Sequence, residues 1–132
     1  MSIETALQAL VAPILATIPA PAIPFYWGIV PAKNAAGATI TEYVSLSSVT
    51  DGVNQDDDGS DNKQFNIVSR SGMARVKAID LALKAGLQRY KGVQSGYKIS
   101  SISHVRSVEL PDATTGESRI AAEYHVNYEG GI

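Results

Sequence analysis

The densest group of potential ligands is an acidic run after residue 50. Asn54, Asp56, Asp58 and Gly59 match the opening of a calcium loop, N-x-D-x-D-G. Such a loop closes on a bidentate Glu at its twelfth position, and here that position is Phe65. No helical pattern leads into it, so an EF-hand fails; a solvated turn or a weak surface cation site remains. His104 and His125 are the only histidines. They fall on the two arms of an expected hairpin, both on its polar face, and Glu123 shares a face with His125. Two imidazoles and a carboxylate would begin a metal site, but spacing fixes no third ligand; surface or interface histidines are the plainer reading. Ser69, Ser71 and Gly72 precede a helix whose free N–H groups could take an anion, with Arg70 and Arg75 assisting. There is no Gly-rich phosphate loop, no G-x-S-x-G elbow and no carboxylate pair on a clearly rigid element. The absence of cysteine excludes a thiol nucleophile, a disulfide framework and Cys-ligated zinc or iron–sulfur centres. No cofactor and no metal are expected.

The elements that would carry these residues centre on positions 72–90. Val76, Ile79, Leu83, Leu87 and Tyr90 recur at spacings of three and four, the period of a helix with one buried face. Ala74, Ala78, Ala82 and Ala85 add helix propensity with little bulk. Ser71 is the expected N-cap and Gly92 the stop signal, while Gly86 could permit close packing. Residues 2–18 hold a second amphipathic stripe (Ile3, Leu7, Leu10, Val11, Ile14, Leu15), which Pro13 should end near Ala12 or kink. Pro19, Pro21 and Pro24 then make a stiff connection. FYWGIV, residues 25–30, reads as a short edge strand or a packed loop, with Tyr26 and Trp27 as contact candidates.

Residues 40–49 and 63–70 read as strands, with Val44, Leu46, Phe65 and Ile67 inward. In residues 97–110 the apolar phase breaks near Ser101 or Ser103, which predicts a bulge. Residues 118–128 alternate cleanly: Ile120, Ala122, Tyr124, Val126 and Tyr128 face one way and Arg119, Glu123, His125 and Asn127 the other. These last two segments should form a hairpin, and the strands flanking the main helix could pair with each other. The expected fold class is α+β, a mainly antiparallel twisted sheet with two helices packed on it, in the order helix, strands, helix, hairpin. At 132 residues the chain suits a single domain, 1–132. No basic leader precedes the first apolar stripe and no run of eighteen apolar residues occurs, so a soluble intracellular protein is expected.

The formal charge of -2 conceals an imbalance. Asp51, Asp56, Asp57, Asp58 and Asp61 crowd residues 50–61 with no basic neighbour. Residues 63–106 carry nine basic side chains against Asp80 alone. Two solvated surfaces would account for this; so would complementarity between copies or with a neighbour in an assembly.

The order of these features across residues 42–128 resembles the tail completion, or tail terminator, proteins of long-tailed bacteriophages, of the minor tail protein U type. The resemblance rests on IETALQALVAPI (3–14), EYVSLSSVTD (42–51), FNIVSRSGMARVKAIDLALKAGLQRY (65–90) and RIAAEYHVNYEG (119–130). It implies a structural virion protein and no enzyme. Such a protein forms a ring, commonly a hexamer, that caps the head-proximal end of the tail tube. It stops tube polymerisation and gives the head–tail connector or neck proteins a docking surface. It would assemble in the host cytoplasm, with nucleic acid only passing through the lumen. In a ring, Asp56, Asp57, Asp58 and Asp61 are expected near a subunit boundary or the lumen, with Arg70, Arg75 and Lys77 on the opposing face. Two other classes stay open: a small enzyme using His104 or His125 with a nearby carboxylate, and a nucleic-acid-binding module using the basic 63–106 segment.

Overall fold

A computed structural model describes residues 3–19, 22–27, 30–31, 33, 37, 39–48, 59–111 and 117–129. The side chains of Trp27, Ser48, Asp61 and Pro111 lie outside that description. Two helices, α1 (Ile3–Ala16) and α2 (Met73–Leu87), accompany six strands. The strands are β1 (Phe25–Trp27), β2 (Glu42–Ser48), β3 (Gly59–Ser69), β4 (Gly92–Gln94), β5 (Tyr97–Pro111) and β6 (Ser118–Glu129). They form one sheet in the order β1-β2-β3-β6-β5-β4, antiparallel except for the β1–β2 pair. The α+β class read from the sequence is the one observed.

The alternation in β6 sets the two faces of the sheet. Ile120, Ala122, Tyr124, Val126 and Tyr128 are buried under the helices. Beside them lie Phe65 and Ile67 of β3, Val44 and Leu46 of β2, and Ile99 and Ile102 of β5, with the Phe65 and Tyr124 rings edge to face at 5.6 Å. α2 buries Val76, Ile79, Leu83 and Leu87 against this face, and α1 buries Ile3, Ala6, Leu7, Leu10, Val11 and Leu15. Gly86 is where the helices meet: a Cβ there would come within 2.7 Å of Ile14 Cγ1 and closer still to its terminal methyl. The glycine thus permits the close approach anticipated from the sequence.

Several expectations are corrected. α1 runs through Pro13 to Ala16 instead of stopping near Ala12. Burial of Leu15 extends it, and Thr17 closes the last turn by donating from both N and Oγ1 to the Ile14 carbonyl. The N-cap of α2 is Gly72 (φ 110°, which favours glycine), not Ser71. Ser71 instead donates its N–H to Ser69 Oγ. The helix ends at Leu87 with Gln88 as its C-cap, and the chain turns at Arg89 (φ 66°), whose N–H donates to the Ile102 carbonyl at 2.9 Å, three residues before Gly92. The role of Gly92 is clearance, since a Cβ there would sit 2.6 Å from the Tyr90 hydroxyl. The strands flanking α2 do not pair; β6 and β5 lie between β3 and β4.

β5 carries two register shifts, between Ile99 and Ser101 and between His104 and Arg106. The first is the anticipated bulge. The second, at Val105, restores the phase, so Val108 and Leu110 face away from the helices and not with Ile102. Among the described residues no helix is long and apolar enough to cross a membrane.

Candidate functional site

The two histidines lie on opposite faces. His104 pairs with Tyr124 in the β5–β6 register and so points to the helix side. Its ring stands edge to face with the Tyr124 ring at 5.2 Å. His125 points to the face the helices leave open. The sequence put both on the polar face, and the bulges in β5 are why that fails for His104. A shared metal site between them is thereby removed. Among the described residues no group of three His, Asp or Glu side chains could hold a metal ion.

On the open face the polar side chains form a ladder across three strands. Arg106 of β5 donates through Nε and Nη2 to Glu123 Oε1 at 3.2 and 3.1 Å. Asn62 of β3 donates to Glu123 Oε2 at 2.7 Å, which leaves its carbonyl to accept from His125 Nδ1. His125 Nε2 then accepts from the Ser60 hydroxyl at 2.8 Å. Asn127 donates to Ser101 Oγ at 2.7 Å. Glu123 is buried on this face, and paired partners make that tolerable.

On the helix side, His104 Nε2 lies 2.8 Å from Ser107 Oγ, and Ser107 donates to Asp80 Oδ1 of α2 at 3.1 Å. A hydroxyl with a neighbouring imidazole is the start of a nucleophile. Here Ser107 sends its one proton to Asp80, so the imidazole is a donor to the hydroxyl and not its base. Below this group the Tyr124 hydroxyl is buried with no hydrogen-bond partner. Burial, and then the charge of Asp80, pushes its pKa above the ordinary phenol value.

Part of the basic segment is engaged within the chain. Lys63 is buried and reaches Glu4 of α1 at 2.9 Å. Arg75 donates through Nε and Nη2 to the two oxygens of Glu42, both at 3.1 Å, and Ser69 Oγ adds a 2.7 Å bond to the same carboxylate. Burial works to raise the Glu42 pKa; the hydrogen bonds of Arg75 and Ser69 and the Arg75 charge outweigh it and hold it below the ordinary value. Lys77 pairs with Glu109 on the surface at 3.2 Å. With Arg106 on Glu123, four of the nine cations from 63 to 106 are seen with carboxylate partners among the described residues. These four pairs interrupt any basic stripe running along the segment.

Of the residues singled out for an assembly surface, Arg70 is exposed at the end of β3, Arg75 is mostly buried in its pair, and Lys77 is exposed on α2. Tyr26 is half-buried on β1, where Trp27 follows it. Asp61 falls on β3 opposite Val126. Asp51, Asp56, Asp57 and Asp58 lie outside the described residues. Sequence reasoning missed the exposed apolar row Val93, Val105, Val108 and Leu110 at the β4–β5 end. Its signal was the second phase change in β5, which takes Val108 and Leu110 off the face of Ile102.

The architecture defines an α+β protein with two helices on one face of a curled six-stranded sheet. No family model matches the chain, and no curated protein matches it. Among solved structures, a chain in the virion of a native gene transfer agent particle has the same fold. It is 18% identical, with a TM-score of 0.62, and the match covers 98% of this chain and 92% of that one. At that identity the likeness is one of fold.

Proposed function

We propose that this protein is a structural component of a phage virion that forms a ring at the head-proximal end of the tail tube. There it stops tube polymerisation and offers the head–tail connector a surface to dock on. The observation that carries this reading is the fold shared, over nearly the full length of both chains, with a virion component. It agrees with the tail terminator resemblance in residues 42–128. The chemistry is consistent with binding and geometry: the polar groups of the open face are satisfied by one another, and Ser107 is not set up as a nucleophile. The mass of the protein should be measured alone and with tail tubes, followed by imaging of the tube ends. A closed ring on one end of each tube is expected. A protein that never joins itself or a tube end would remove the proposal.

A further inference from the structure

The two edges of the sheet are built differently. β4 pairs with β5 over Tyr97, Lys98 and Ile99 alone. Beyond them the outer side of β5 has no strand beside it among the described residues, and of its main-chain groups the Ile102 carbonyl is already taken by the Arg89 N–H. An unpaired strand edge is a row of main-chain donors and acceptors open to another chain. Exposed large apolar side chains are spread along this edge. Val93 on β4 and Val105, Val108 and Leu110 on β5 are between 44% and 57% exposed. Leu81 of α2 is 66% exposed. It shares a helix flank with Lys77 and Asp80, whose side chains reach Glu109 and Ser107 of β5, so it stands at the same end on the helix side.

The opposite edge is the three-residue β1, and two hollows flank it. One, of about 630 Å³, lies on the helix side between α1 and β1, lined by Ala16, Leu15, Ile18 and Phe25. The other, of about 370 Å³, has a mixed lining, with Pro24, Tyr26 and Ile40 beside Thr39, Thr41 and Glu42. Tyr26 pairs with Ser45, so its side chain is on the open face with Val108 and Leu110. The β5 edge thus carries exposed apolar side chains on both faces, and the β1 edge carries a mainly apolar hollow on the helix side and a mixed one beside Tyr26.

We infer that successive copies of this chain join edge to edge, the β5 edge of one against the β1 edge of the next, so that the sheet continues from subunit to subunit. Leu81 enters the helix-side hollow, and Val108 and Leu110 cover the one beside Tyr26. Two unlike, mutually complementary ends give a head-to-tail contact, which closes into a ring when its rotation allows. The inference rests on the ring reading above and adds the surfaces that build it.

The test uses two variants of the full chain. Leu110→Lys charges the protruding end, and Ala16→Trp fills the helix-side hollow; both positions are exposed, and circular dichroism checks that each variant folds. Mass is measured at concentrations where the parent associates. Each variant alone should be monomeric. An equimolar mixture should form dimers and stop, since each pair holds one intact edge and one intact hollow. If the parent associates only on tail tubes, each variant alone should fail to load. Variants that form rings like the parent would overturn the edge contact and leave the ring reading standing. A dimer of Ala16→Trp alone would overturn it in favour of a two-fold β5–β5 pairing, and a mixture that stays monomeric would also overturn it. A parent that is single in solution and absent from tube ends would remove both readings.

Discussion

Glu42 is a carboxylate taken almost wholly out of water, and Arg75 with Ser69 is what holds it ionised there. Removing one partner of such a pair leaves the other without its charge. Glu42→Gln is expected to cost about 3 kcal/mol at neutral pH, measured by urea unfolding. The Glu42 carboxyl is held below its unfolded value, so its contribution is complete above about pH 5 and lost as pH falls through the lowered folded value. The gap between parent and variant should close in acid; a gap that stays constant down to pH 2 would contradict this. Tyr124 gives the opposite case. Its hydroxyl is buried without a partner, so Tyr124→Phe should stabilise by about 1 kcal/mol. Its folded pKa is raised, so the unfolded chain gives up this proton first as pH passes about 10, and the parent loses stability there. The advantage of the Phe variant should therefore widen in alkali, as thermal unfolding at pH 8 and pH 10.5 would reveal.

At the scale of elements, α2 and β6 were legible because each has one fully buried face, and burial imprints its period on the sequence. The end of α1 was half legible: Ile14 and Leu15 carry the stripe past Pro13, but the local objection of Pro13 argued for an earlier stop, and burial of Leu15 outweighs it. β5 was half legible: Ile102 gave away the first bulge, while the exposure of Val108 and Leu110 concealed the second. The candidate surface suffered most from this, since Val108 and Leu110 were not singled out as exposed. Asp80 and Ser107 are 27 positions apart and share no motif, so no spacing rule joins them. The α1–α2 contact offers its own check. Gly86→Ala gains about 1 kcal/mol of helix propensity but collides with Ile14, at an overpacking cost of about 2 kcal/mol. It should destabilise the parent by about 1 kcal/mol and stabilise an Ile14→Ala background, as denaturant midpoints would show. Stabilisation in both backgrounds would mean the helices do not meet there.

For the molecule as a whole, the sign of charge is distributed unevenly along the sequence, and the pairs within the fold absorb only part of it. On the ring reading, the remainder acts between neighbours. Changing Asp56, Asp57 and Asp58 to Asn should leave unfolding within about 0.5 kcal/mol of the parent and change how ring formation responds to salt. The assembly profile between low and high sodium chloride is the measurement, and an unchanged profile would place these residues away from any boundary.

β6, the last strand in sequence, holds the middle of the sheet, with β3 on one side and β5 on the other. Without it the remaining strands fall into two separate ribbons, β1-β2-β3 and β4-β5. During synthesis each ribbon leaves the ribosome with its future central neighbour missing, and the two unite only when residues 118–129 follow. Translation thus delays the joined sheet, and any docking that needs it, until residues 118–129 have been made.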